Sequence, residues 1–169
     1  MTVVRTADDD AVRLLARRPL ARAELCLRLV DAGHSAAAVE AAVDRAERQG
    51  WVDDGKLAYD YVVTRSARLG RGRARLVAEL IARGVCRDIA EDAWRRAVAH
   101  GEVDEGAAVA TALSRRLAAG GRLDRSRYAR VYNALLREGF ERDEVESALA
   151  PHRALLERPD ESLAERIDG

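Results

Sequence analysis

Apart from the arginines, the side chains that could do chemistry in this chain are few and widely separated. The spacing of its histidines and cysteines predicts neither a set of metal ligands nor a nucleophile beside an activating base. These residues are Cys26, Cys86, His34, His100 and His152. We therefore expect no catalytic residue, no metal and no cofactor, and we interpret both cysteines as small buried apolar groups.

Arginine is abundant, and its distribution is uneven although the formal net charge is zero. Lys56 is the single lysine beside 28 arginines. Residues 61–87 hold seven arginines and one acidic residue, and residues 106–137 hold seven arginines and Asp124, so each stretch carries +6. Residues 12–30 carry +4, whereas residues 88–105 carry −4 and residues 138–169 carry −6. The charge therefore alternates in blocks along the chain.

Such blocks predict a basic strip that contacts phosphates or an acidic protein surface, because guanidinium binds both groups in bidentate geometry. The candidate contact residues are Arg65, Arg68, Arg71, Arg73, Arg75, Arg115, Arg116, Arg122, Arg127 and Arg130. Because the chain is so rich in arginine, each of these residues can also be explained as a surface cation that contacts only solvent. Gly70 and Gly72 interrupt the first group, so these arginines do not share one uninterrupted helix face.

The elements that position these arginines follow from an internal repeat. Leu25, Leu29 and Gly33 form a pattern that returns twice, at intervals of 51 and 55 residues. The later copies are Leu76, Leu80, Gly84 and Val131, Leu135, Gly139. Apolar residues four apart lie on one helix face, and glycine supplies the left-handed turn that ends a helix. Each copy therefore predicts a helix ending at its glycine, within a stack of similar units.

Further helical patterns precede and follow each of these helices, which gives three helices per repeat and an all-α fold of three tandem repeats. We expect an elongated and curved stack with repeats at residues 1–52, 53–103 and 104–157, and an acidic tail at 158–169. The first leading helix is predicted from Asp8 to Arg18, before Pro19, and Ser35 is a candidate N-cap. Trp51, Trp94, Tyr61 and Tyr132 are interpreted as core or inter-helix residues.

The sequence shows no signal peptide and no apolar stretch near the roughly 18 residues that a membrane-spanning helix needs. We therefore expect a cytoplasmic protein with no membrane partner and no small-molecule substrate.

The centre of the chain resembles the RecX family, the bacterial regulators of the recombinase RecA. The residues that carry the resemblance are Trp51, Val52, Asp53, Asp54, Leu57, Ala58, Tyr61, Val62, Arg65, Gly70, Arg75, Glu79, Leu80 and Gly84. Through the repeats, the resemblance extends over about residues 8–157.

The resemblance implies a protein without enzymatic chemistry that binds the RecA nucleoprotein filament and lowers ATP hydrolysis, strand exchange and assembly on single-stranded DNA. It would thereby moderate recombination and the SOS response. Residues 65–75 are the segment that we expect to contribute to this contact. Two other classes stay open: a DNA-binding helical module that uses the same basic blocks, and a helical scaffold for another protein.

Overall fold

The computed structural model describes residues 5–118 and 123–156, and these ranges form nine α-helices and no strand. The helices are α1 Ala7–Leu15, α2 Arg22–Asp31, α3 Ala36–Arg48, α4 Asp54–Leu69, α5 Arg73–Ala82, α6 Arg87–Ala99, α7 Glu105–Ala118, α8 Arg125–Arg137 and α9 Arg142–Leu156. The predicted all-α class, with three helices in each of three repeats, is confirmed. Arg122 and the acidic tail lie outside the described residues.

The middle helix of every repeat ends in the same way. Gly33, Gly84 and Gly139 have φ angles of 91°, 88° and 90°, values that glycine adopts without steric cost. The residue after each glycine donates its N–H to a carbonyl five residues earlier, as in the bond from Val85 N to Leu80 O of 3.0 Å. These are Schellman motifs, which satisfy the last carbonyls of the helix.

Each repeat has its own apolar core, in which the repeated leucines are fully buried. Leu25 and Leu29 lie in the first core, and Leu76 and Leu80 lie in the second. Leu135 takes the equivalent place in the third core. Because each core is small, contacts between neighbouring repeats must add to the stability of each unit.

The first junction joins the N-terminus of α2 to the second repeat. Ala21 is completely buried within the second core, and the backbone N–H of Arg22 donates to Asp54 Oδ1 at 2.8 Å. Gly84 lies against this helix start, because a Cβ atom at Gly84 would come within 2.9 Å of Ala23 Cβ.

The second junction, between the second and third repeats, has the same arrangement, and here the two backbones lie closer together. Gly72 N donates to Glu138 O at 2.9 Å, and Ala74 N donates to Gly139 O at 3.2 Å. A Cβ atom at Gly72 would lie 2.3 Å from the carbonyl carbon and oxygen of Gly139. The start of α5 therefore contacts the end of α8 through backbone atoms, and no side chain fits between them.

Two local predictions differ from the structure. Helix α1 ends at Leu15 and not at Arg18, since the ring of Pro19 disfavours a helical conformation in the residue before it. Cys86, at the N-cap of α6, is exposed, and Cys26 is half-buried. The predicted cap at Ser35 is confirmed, since its side chain accepts a hydrogen bond from Ala38 N at 3.4 Å.

Candidate partner-binding groove

A basic groove lies between the second and third repeats. Its volume is about 680 Å³, and five arginines line it against one carboxylate, that of Glu138. The arginines are Arg71, Arg115, Arg116, Arg127 and Arg130. The groove therefore brings together half of the arginines that the sequence singled out, although they are up to 59 residues apart in the chain.

Three of these arginines are held by contacts across the groove or beside it. Arg71 pairs with Glu79. Arg115 donates to the carbonyl of Leu69, close to Gly70, whose φ of 50° ends α4 in a left-handed turn. Arg116 pairs with Glu138 at 2.5 Å. Because these contacts link α7 to α4 and α8, the guanidiniums keep fixed positions on the groove wall.

Helix α8 carries the other two arginines of the groove. Arg127 donates to the carbonyls of Arg116 and Leu117 at 3.2 and 2.9 Å, so it covers the C-terminal turn of α7. Arg130 is exposed, and within residues 5–118 and 123–156 its side chain makes no hydrogen bond or ion pair. Among the described residues that line this groove, Arg130 is the arginine with all its donors open to a ligand from the solvent side.

A concave surface with this charge attracts anions. A guanidinium presents two parallel N–H donors to a phosphate or a carboxylate, and low-dielectric walls strengthen the attraction. The described residues that line the groove therefore suit the binding of an anion.

The remaining candidate arginines do not join this groove. Arg73 donates two bonds to Glu91 Oε2, at 2.9 and 2.7 Å. Arg75 donates to Glu79 Oε1 at 3.0 Å. Arg68 is exposed and has no hydrogen-bonding or ionic partner in the part of the chain that the structure describes. Residues 65–75 therefore do not form one surface, because Gly70 turns the chain between α4 and α5.

Arg65 lies at the other junction, over the ring of Tyr61, and Arg122 falls outside the described residues. Sequence reasoning missed the acidic partners that bind several arginines, namely Glu79, Glu91 and Glu138. The spacing of four residues between Arg75 and Glu79 was a readable signal for one of them. The other two pairs depend on helix packing.

Glu79 is the centre of a polar network that should make stability depend on pH. Burial raises the pKa of its carboxyl, but hydrogen bonds from Tyr61, Arg71 and Arg75 outweigh burial and lower the pKa below its ordinary 4.5. A carboxyl whose pKa is lower in the folded state stabilises the fold above its unfolded pKa. That stabilisation is lost as the pH falls through the folded pKa.

We expect Glu79→Gln to lower the free energy of unfolding at neutral pH and to flatten its decline between about pH 5 and pH 3. Urea unfolding followed by circular dichroism measures both effects. Glu102→Gln is the control, because the Glu102 side chain contacts no polar group within the described ranges. A Glu79→Gln curve parallel to that of the wild type at every pH would show that the network does not act in this way.

Comparison with known proteins identifies the chain. A model described as the first three-helix domain of RecX matches residues 9–45, and one described as the second three-helix domain matches residues 53–93. Regulatory protein RecX of Chromohalobacter salexigens is 36% identical over 146 residues, which cover 86% of this chain and 91% of that protein. The chain belongs to the RecX family.

Other RecX proteins agree in sequence and in fold. Regulatory protein RecX of Halorhodospira halophila is 35% identical over 142 residues, 84% of this chain and 85% of the relative. The crystal structure of RecX from Lactobacillus salivarius superimposes with a TM-score of 0.70 at 20% identity, and covers 86% of this chain and 93% of that one. The structural similarity shows the shared fold, and the sequence similarity shows the family.

The RecX assignment confirms the resemblance carried by the central residues. Its relatives are named regulatory proteins, so regulation is the general role that membership supports. Within the described ranges, every helix falls short of the length and apolar character needed to cross a membrane.

Proposed function

We propose that this protein regulates the recombinase RecA by binding its nucleoprotein filament, and that it lowers ATP hydrolysis, strand exchange and filament assembly. Recombination and the SOS response would be moderated as a result. Membership of a family of regulatory proteins supports this proposal, and so does the basic groove between the second and third repeats.

The observation that carries the proposal is the convergence of five arginines on one groove with a single carboxylate. A filament of protein and single-stranded DNA presents both phosphates and carboxylates, and guanidinium binds each of them. Of the groove arginines, Arg130 is the one with which we expect the filament to pair directly, since its guanidinium is exposed and makes no hydrogen bond or ion pair with the described residues.

Binding to bare DNA is a second candidate function, favoured by the same groove. A protein that binds DNA through phosphates loses affinity steeply as salt rises, because binding releases counterions. The filament regulator and the DNA module therefore differ in one respect: only the regulator needs RecA to produce its effect.

The test is the ATPase rate of the cognate RecA on single-stranded DNA, titrated with the wild-type protein and with Arg130→Glu. We expect the wild type to inhibit hydrolysis at less than one molecule per RecA monomer. For the same inhibition, at least about tenfold more of the variant should be needed. A charge-assisted hydrogen bond contributes about 1.5–3 kcal/mol, and the new carboxylate also repels anions.

Arg87→Glu is the matched control. Arg87 is exposed at the N-terminus of α6, where glutamate suits the helix dipole, and it does not line the groove. It has the same charge change in the other basic block, residues 61–87, so equal loss of inhibition in both variants would reject the groove. Tight binding to bare DNA without inhibition would instead support the DNA module.

A further inference from the structure

A second groove, at the junction of the first and second repeats, combines apolar recesses with arginines that lack acidic partners. One recess, of about 380 Å³, is lined by Leu20, Trp51 and Leu57. A second, of about 640 Å³, is lined by Leu27 and Ile81. Tyr61 lines both, together with three arginines. The recesses are therefore two parts of one surface that meet at Tyr61, and their volumes are near those of ligand pockets.

Two large apolar side chains of this surface are unusually exposed. Trp51 is 52% exposed and Leu27 is 66% exposed, so of the two interpretations of Trp51, as a core or an inter-helix residue, the core one is wrong. The backbone holds Trp51 at this edge: Gly50 takes a φ of 71°, and Trp51 N donates to Ala46 O at 2.9 Å. The indole is thus presented from a fixed helix end, and its apolar area remains available for burial by a partner.

Two guanidiniums lie against the ring of Tyr61 between the recesses. Arg65 and Arg83 are 5.3 and 5.1 Å from its centroid. The Tyr61 hydroxyl donates to Glu79 Oε2 at 2.8 Å, which fixes the ring. Both guanidiniums are therefore positioned by the same ring, where the two recesses meet.

Neither arginine has a carboxylate partner among the described residues. Arg83 makes one long bond, 3.4 Å, to the carbonyl of Pro19, and Arg65 makes no hydrogen bond or ion pair within those ranges. Two cations at one aromatic ring without a counter-charge favour the binding of an added carboxylate.

The acidic residues that line the two recesses are engaged elsewhere. Asp60 pairs with Lys56 at 2.9 Å, and Asp53 accepts the backbone N–H of Lys56 at 2.8 Å as the cap of α4. Glu24 binds Arg18 and Arg28. The unsatisfied charge of the surface is therefore confined to Arg65 and Arg83.

We propose that this surface is a docking site for a segment of a partner protein that has a carboxylate flanked by large apolar side chains. The carboxylate would bind Arg65 and Arg83, and the apolar side chains would fill the recesses beside Trp51 and Leu27. A nucleic acid fits less well, because its backbone is charged at every unit whereas the recesses are apolar and Asp53 and Asp60 line one of them. The proposal concerns peptide chemistry and is independent of RecA.

The test uses three fluorescein-labelled peptides of twelve residues and the full-length protein. The first has the core Phe-Glu-Leu in a background of Gly, Ser and Asp; the second replaces Phe and Leu with Ser; the third replaces the central Glu with Gln. Fluorescence anisotropy measures binding to wild type, Trp51→Ala, Arg65→Gln and the control Arg87→Gln, with circular dichroism as the check of folding.

We expect the first peptide to bind the wild type at least tenfold more tightly than the other two peptides. Trp51→Ala and Arg65→Gln should each weaken that binding at least tenfold, while Arg87→Gln leaves it unchanged. Equal binding of the three peptides, equal binding by all variants, or no binding at all would overturn the proposal. Displacement of the bound peptide by unlabelled oligo-dT at low concentration would overturn it in favour of nucleic acid. Because RecA is absent from this experiment, its outcome is separate from that of the ATPase titration.

Discussion

Gly139→Ala is expected to destabilise the protein severely, by more than about 4 kcal/mol, the range reached when a buried contact cannot adapt. Gly139 has a φ of 90°, and its added Cβ would lie 2.3 Å from Arg75 N and 3.0 Å from Arg75 Cα. Both are backbone atoms, so relief of the overlap requires the second and third repeats to move apart.

Two matched variants separate conformational strain from steric overlap. Gly33→Ala has the same backbone strain, since its φ is 91°, but nothing lies within 4 Å of the added Cβ. It should cost only the left-handed penalty of about 1–2 kcal/mol. Gly72→Ala has the steric overlap without the backbone strain. Its φ of −78° suits any residue, but its Cβ would lie 2.3 Å from Gly139.

Urea unfolding of the three variants measures these costs in free energy. Circular dichroism and the near-ultraviolet signal of the tyrosines are followed together, because a repeat protein can unfold in steps. The expected order of destabilisation is Gly139→Ala, then Gly72→Ala, then Gly33→Ala. Equal losses at Gly33 and Gly139 would mean that the second junction does not have the close backbone contact described above.

Trp94→Ala should have the second largest effect. Trp94 is 4% exposed in the core of the second repeat, and its indole Nε1 donates to Glu105 Oε1 at 3.2 Å. Removal of a buried tryptophan side chain costs about 3–5 kcal/mol. Since Glu105 begins α7, the third repeat would lose one of its contacts with the second at the same time.

Trp94→Phe and Trp51→Ala are the controls for this prediction. Phenylalanine keeps most of the packing and removes the bond to Glu105, so about 1–2 kcal/mol should be lost. Trp51→Ala removes the same side chain from a position that is 52% exposed, and we expect its free energy of unfolding to fall by less than about 1 kcal/mol. Similar losses from Trp94→Ala and Trp51→Ala would contradict the burial that the structure assigns to each residue.

The arginines divide into two roles. Arg73 and Arg116 bind carboxylates within the protein, so substitution there would alter packing as well as surface charge. Arg65 and Arg130 are exposed and make no hydrogen bond or ion pair with the described residues. Changes at these two positions test binding with the least disturbance of the fold.

The sequence by itself determined the helical repeat. Apolar residues at spacings of four, followed by glycine, specify a helix and its left-handed end through local geometry alone, and the positive φ angles of Gly33, Gly84 and Gly139 agree. The blocks of arginine also pointed to a basic surface, because charge along the chain can be counted without knowledge of packing.

Only the tertiary structure decided which arginines share a surface. Arg71 and Arg130 meet because the backbones at Gly72 and Gly139 are in contact, and this contact depends on how the repeats stack. The partners of Arg73 and Arg116 come from other helices at sequence separations of 18 and 22 residues. The exposure of Trp51 has the same origin: its residue type favours burial, whereas the end of α3 places it at the edge of a junction.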